Sequence, residues 1–267
     1  MSRVGLFKRI KAKVESLWRE TRLSDARRTE VMKSQKDTFE RAGLSLDSAI
    51  QQTSETLELS NIRRTDTSMH YEIFAAISRV HDVKRILEIG TSSGVFTMFL
   101  AQLFTQASIQ TWDLPPEGFA GVGVDAGVES YRSIRIAYGD QTEKSRANLN
   151  SLRNVEQIRQ DSTLLTFDSE LFDLIWVDGD HTFPVVAFDI INALRLVRPQ
   201  GWICVDDVRP RDTSRGTLGS KETFRTVKHI EQIGLVSLHL LMKRLDSASM
   251  LLEPESRKYV AVMRRLT

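Results

Sequence analysis

From Ser68 onward the apolar positions alternate between helical and strand spacing, and that alternation predicts a doubly wound α/β domain. Tyr71, Ile73, Phe74, Ile77 and Val80 mark one face of a helix. Arg85 to Ile89 reads as the first strand, Gly90 to Gly94 as a glycine turn, and Val95 to Phe104 as a helix apolar enough to pack tightly on a sheet. Ser108 to Trp112 and Val155 to Arg159 follow as strands, with a helix expected over Gln141 to Leu152. Leu174 to Val177, inside F-D-L-I-W-V-D-G-D-H, is apolar on both faces, the mark of a buried parallel strand. A helix over Val185 to Leu196, a turn at Pro199-Gln200-Gly201 and a strand from Trp202 to Val205 come next. Lys221 to Ile233 is a further helix, closed by Gly234. Val236 to Leu245 and Lys258 to Arg265 read as an antiparallel hairpin at the sheet edge.

The chain ahead of this pattern has a different character. Leu6, Phe7, Ile10, Val14, Leu17 and Trp18 recur at helical spacing among Lys8, Arg9, Lys11, Lys13, Arg19 and Arg22, which makes a basic amphipathic helix. The expected division is a helical arm over residues 1–65, with a linker near Asn61 to Thr65, and a domain over residues 66–267. Such an arm is expected to pack on its own domain or on a second subunit, which predicts a homo-oligomer; peripheral contact with an anionic membrane surface is the other use of the same face. Leu114 to Asp140 holds Pro115, Pro116 and several glycines without sustained period, and is expected to be a long functional loop.

Composition narrows the class. A hydrophobic fraction of 41% over 267 residues is enough for a substantial core, and no apolar run approaches a bilayer span of about 20 residues. The formal charge of +2 gives no global case for nucleic acid, although Arg209, Arg211 and Arg215 crowd one loop. The single cysteine, Cys204, lies in a predicted strand, so no disulfide can form within the chain and a reducing cytoplasm is the expected location.

The candidate chemistry sits where the strands end, the edge at which open α/β sheets bind ligands. The stretch Glu88-Ile89-Gly90-Thr91-Ser92-Ser93-Gly94 lacks the second glycine of a pyrophosphate-binding turn, because Ser92 occupies that place. A ligand without phosphates fits better. An acid in the first strand, a glycine turn and Asp113 ending the second strand together suit S-adenosylmethionine, with Asp113 placed to accept ribose hydroxyls. Asp178, Asp180 and His181 end one later strand, and Asp206 and Asp207 end its neighbour. Carboxylates converging on one edge repel one another and resist ionising unless a cation offsets them, and hard oxygen ligands suit Mg²⁺, with Mn²⁺ as the second choice.

Through L-E-I-G-T-S-S-G, Trp112-Asp113, Gln160-Asp161-Ser162 and the terminal hairpin, residues 66–267 resemble the class I S-adenosylmethionine-dependent methyltransferases. The turn Asp178-Gly179-Asp180-His181 lacks the proline-proline-aromatic signature of the adenine and amide N-methyltransferases, and Cys204 is no loop nucleophile of the cytosine C5 type. What remains resembles the metal-dependent O-methyltransferases, and more narrowly the antibiotic-sugar and cephalosporin hydroxylase-like groups. The resemblance implies a Rossmann-like seven-stranded sheet with its last strand antiparallel. It also implies that Glu88, Gly90, Thr91, Ser92 and Gly94 hold the methionine part of the cofactor, Asp113 the ribose, and Asp161 with Ser162 the adenine. Asp178, Asp206 and Asp207 match the metal ligands and His181 the general base. The implied reaction is Mg²⁺-dependent methylation of a hydroxyl on a sugar or small polyol. A phenolic or catechol acceptor is the alternative enzyme, and a protein that binds S-adenosylmethionine without turnover is the alternative class.

Overall fold

The computed structural model describes residues 25–64, 67–114, 146–164, 171–210 and 221–267. The amphipathic segment before residue 25, most of the expected loop over 114–140, the start of the helix expected from Gln141, and Arg211 and Arg215 all lie outside the described residues.

Seven strands form one sheet: β1 (Arg85–Ile89), β2 (Ser108–Asp113), β3 (Val155–Arg159), β4 (Phe172–Val177), β5 (Val197–Val208), β6 (Val236–Met242) and β7 (Tyr259–Arg265). Their order is β3-β2-β1-β4-β5-β7-β6. β1 to β5 run parallel, while β7 is antiparallel to both β5 and β6. The expected Rossmann-like sheet with an antiparallel last strand is therefore the observed one. Its order reverses between β1 and β4, and the crevice outside the strand ends at that point is where such sheets take ligands.

All six residues of β4 are buried. Because side chains alternate across a strand, Leu174 and Trp176 enter one apolar layer with Phe74, Phe99 and Trp202. Ile175 and Val177 enter the other, with Val186, Ile190 and Val227. The helices α1 (Asp25–Arg41), α2 (Leu46–Leu59), α3 (His70–Val80) and α4 (Val95–Leu103) serve the first layer, and α5 (Val185–Leu196) and α6 (Lys221–Gln232) the second. Phe39, Leu44, Leu46 and Ala49 are buried in the same layer as the sheet residues, so the part of the N-terminal region that is described shares the domain's core.

Three local differences from the expected elements matter for the site. Pro199-Gln200-Gly201 lies inside β5 as an irregularity, with Gln200 at φ 64° and a register shift against β4, rather than as a turn before the strand. The connection from β6 to β7 contains a short helix, α7 (Ser247–Leu251), and a 3-10 turn (Pro254–Ser256). Described residues of the expected Gln141–Leu152 helix form a 3-10 turn, Ala147–Ser151.

Candidate active site at the carboxyl edge of the sheet

Strand β1 delivers Gly90 into a tight junction. The Gly90 N–H donates to the Trp112 carbonyl at 2.8 Å, and the Asp178 N–H donates to the Ile89 carbonyl at 2.8 Å. Gly90 has φ +102°, and a Cβ there would fall 2.2 Å from the Asp178 carbonyl oxygen. Only glycine fits that crossing. Gly94, at φ +76° ahead of α4, would bring a Cβ to 2.8 Å from Leu149 Cδ1. Ser92 also has positive φ, at 47°.

Glu88 lies beneath this turn at 1% exposure. Its Oε2 accepts from the Thr97 and Thr111 hydroxyls, each at 2.6 Å, and the Thr91 hydroxyl stands 2.6 Å from that of Thr111. Burial raises its carboxyl to about 8, against the opposing effect of the two threonine hydrogen bonds. Glu88 is thus placed to brace the turn through Thr111 and Thr91. Asp113 closes the other side: its Oδ2 accepts from the Ser92 N–H at 3.0 Å and its Oδ1 from the Leu114 N–H at 2.8 Å. Arg146, buried, pairs with Asp113 and donates to the Ser92 carbonyl. A small cavity of about 30 Å³ opens beside them, lined by Gly90, Trp112, Asp113, Ser162, Asp180 and Asp189.

The Asp161 carboxylate turns back on its own chain, with Oδ1 accepting from the Thr163 N–H at 2.9 Å and the Thr163 hydroxyl at 2.7 Å. Ser162 lines the cavity. So does Asp189, from within α5. It is 1% exposed, neither of its oxygens makes a well-formed hydrogen bond, and burial raises it to about 7 despite the nearby Ser162 hydroxyl.

The acid cluster stands on the far side of the Gly90 junction. Asp178 follows β4, and the turn after it is fixed by the Asp180 carboxylate, which accepts from the Thr182 N–H at 2.7 Å. This brings His181 Nε2 to 3.5 Å from Asp178 Oδ1 and 4.0 Å from Asp207 Oδ2. Asp206 and Asp207 come from a bulge, where the pairing of β5 with β7 shifts between Val205 and Val208 and Asp207 takes φ 52°. A bulge re-aims side chains in this way, so neighbouring residues present both carboxylates to one place.

Asp178, His181 and Asp206 each offer a ligand atom within 4.8 Å of the others. Asp207 is differently engaged. Its Oδ1 accepts from Lys243 at 2.6 Å and its Oδ2 from Lys258 at 2.5 Å, while Lys243 also pairs with Asp206. Asp206 Oδ1 is buried without a hydrogen bond. Burial, then the neighbouring Asp178 charge, raises the Asp206 carboxyl to about 7. Burial pushes Asp207 the same way, but Lys243, His181 and the lysine hydrogen bonds outweigh it and hold Asp207 below the usual carboxylate range. His181 lies above its ordinary value, since Asp178 and the two other acids overcome the larger effect of burial.

The cations that offset these acids are therefore partly the chain's own. Lys243 and Lys258 were absent from the sequence reading, but topology carries their signal: with β7 antiparallel to β5 and β6, the end of β6 and the start of β7 fall at the carboxyl edge of the parallel strands. The donor set still fits a hard divalent cation at Asp178 and Asp206, with Asp206 Oδ1 as its buried open oxygen. A concavity of about 730 Å³ lies elsewhere, at the amino edge beside Val83 and Gln106.

Residues 87–208 match the model of a family described as a methyltransferase domain. No curated protein matches the chain by sequence. Among solved structures, an O-methyltransferase from Bacillus cereus in complex with S-adenosylhomocysteine is 19% identical, with TM-score 0.52 over 80% of this chain and 90% of that one. TomG, an O-methyltransferase from Streptomyces achromogenes involved in tomaymycin synthesis and bound to S-adenosylmethionine, is 16% identical, with TM-score 0.52 over 88% and 96%. Cofactor-bound Rv0187 from MTB is 17% identical, with TM-score 0.53 over 81% and 89%. At these identities the likeness is one of fold. No helix among the described residues is long and apolar enough to cross a membrane.

Proposed function

We propose that this chain is a class I S-adenosylmethionine-dependent methyltransferase and that it methylates a hydroxyl of a sugar or small polyol. The observation that carries the reading is the convergence of His181 with Asp178, Asp206 and Asp207 directly across the Gly90 junction. S-adenosylmethionine supplies an electrophilic methyl group, and the glycine turn, Asp113, Asp161 and Ser162 are the candidate residues for its methionine, ribose and adenine parts. In this reading Glu88, through Thr111, and the Thr91 hydroxyl support the turn from beneath.

His181 is the candidate general base. Its Nε2 lies between two carboxylates that favour the imidazolium, so it holds the proton it takes from an acceptor hydroxyl. Asp178 orients that ring and stabilises its charged form. Lys243 and Lys258 keep Asp207 ionised, which adds to the same effect.

Asp178 and Asp206 would hold a divalent cation, Mg²⁺ or Mn²⁺, which lowers the pKa of a coordinated hydroxyl. Asp207, the third acid expected at that place, would join them only by releasing a lysine. A phenolic acceptor is the second reading, since the same base and acids serve a more acidic hydroxyl without modification.

The test is product formation from S-adenosylmethionine with neutral polyols, sugars and catechols, with and without chelator, for the wild type and His181→Ala. Methylated polyol that disappears with His181→Ala supports the reading. Turnover of catechols alone selects the second acceptor class, and turnover that survives chelator removes the metal.

A further inference from the structure

Next to the acid cluster lies a second pocket, of about 220 Å³, whose lining among the described residues includes Arg209, Lys243, Arg244, Arg257 and Lys258 and no carboxylate. Two of these cations, Lys243 and Lys258, face Asp206 and Asp207 and are balanced by them. Arg257 is not balanced in that way. It is 8% exposed, its Nη2 donates to the Met250 carbonyl at 3.0 Å, and its Nε is buried without an acceptor. A guanidinium held out of water with an unmet N–H is a costly arrangement unless a partner completes it. Arg244, exposed on the same wall, adds a second guanidinium.

From this geometry we infer that the pocket receives an anionic group, a carboxylate, sulfate or phosphate, carried by the methyl acceptor itself. The link to the acceptor rests on the proposed methyl transfer. The shared wall supplies the spatial argument: Lys243 and Lys258, which line the pocket, reach Asp207 with their ammonium groups at 2.6 and 2.5 Å, and Asp207 stands 4.0 Å from His181 Nε2. One acceptor molecule can therefore seat its anion among the arginines while its hydroxyl lies at His181. Guanidinium groups suit this role because their N–H forks match planar and tetrahedral oxyanions and stay charged at all relevant pH. Within the proposed sugar and polyol acceptors, the substrate class narrows to an acidic one, a uronic acid or a sugar phosphate.

The test is titration of four probes, inorganic phosphate, glucuronate, glucose 6-phosphate and glucose, into the full chain saturated with S-adenosylhomocysteine, repeated on Arg257→Gln and Arg244→Gln. At least one anionic probe is expected to bind with a Kd of about 1 mM or tighter while glucose does not saturate. Each arginine variant is expected to weaken that binding about tenfold, the worth of one charge-assisted hydrogen bond. Glucuronate without glucose 6-phosphate indicates a carboxylate, and the reverse a phosphate. If none of the anions saturates, if glucose binds as well as they do, or if both variants bind like the wild type, the inference is overturned. Should Arg257→Gln fail to fold, the exposed Arg244→Gln decides alone. Cofactor heat without anion binding refutes this inference and leaves methyl transfer standing; anion binding without cofactor heat refutes methyl transfer and leaves the anion site.

Discussion

Gly90 and Asp178 are in backbone contact across the mouth of the site: a Cβ on the glycine would fall 2.2 Å from the aspartate carbonyl oxygen. The cofactor turn and the loop that carries the acid cluster therefore form one unit, and neither can shift alone. Gly90→Ala must push the two apart against a φ of +102° that alanine rarely adopts. A stability loss of about 1–3 kcal/mol is expected from the clash, with loss of S-adenosylhomocysteine binding. Denaturant unfolding and titration calorimetry on the same sample check both.

Glu88 gives a pH signature. The folded chain keeps its proton up to about 8 where an ordinary carboxyl loses it at 4.5, so the folded state binds more protons between those values. Its contribution to stability must then fall as pH rises through that window and level off above it, with a slope of up to about 1.4 kcal/mol per pH unit. Glu88→Gln removes a titrating group without removing its bulk. Unfolding free energies of this variant are expected to fall less steeply than wild type between pH 4.5 and 8, and parallel curves would contradict the buried neutral carboxyl.

Lys243 joins Asp206 and Asp207 at the sheet edge, with its side chain only 15% exposed. Removing it in Lys243→Met leaves Asp206 without its lysine and Asp207 with Lys258 and the more distant His181. Breaking such a pair from one side costs about 3 kcal/mol or more at neutral pH. Adding Asp206→Asn to the same chain is expected to restore part of that loss, measured by a double-mutant cycle in urea, because the uncompensated charge is then gone.

For His181 the expected pattern is kinetic. His181→Ala should lower turnover by about 10² to 10⁴ with S-adenosylhomocysteine affinity little changed, since a general base acts on the acceptor and the cofactor turn lies across the Gly90 junction. Turnover equal to wild type would remove His181 from the proposed mechanism.

The fold was largely legible because β4 and β5 announce themselves as apolar runs and the helices keep their period. Pro199-Gln200-Gly201 misled, since an irregularity inside β5 uses the same residue types as a turn before it. The convergence of Asp178 and His181 with Asp206 and Asp207 could be read from the strand ends alone. Their lysine partners could not be read from periodicity, because Lys243 and Lys258 flank a polar connection that any solvated hairpin would have. Only the antiparallel direction of β7 brings them to the acids. Asp189 was hidden for a different reason: it falls among the buried apolar positions of α5, where a single acid reads as a polar face until its burial is seen. Arg146, the partner of Asp113, stood in a stretch read as an ordinary helix.

The central claim is that the turn between β1 and α4 and the carboxylate ending β2 form a cofactor site. Titration calorimetry of S-adenosylhomocysteine into the wild type and Asp113→Ala tests it most directly. Saturable binding in the wild type, weakened about tenfold or more in the variant by loss of a charged hydrogen-bond acceptor, is the predicted result. No binding to the wild type, or equal binding to both proteins, would contradict it.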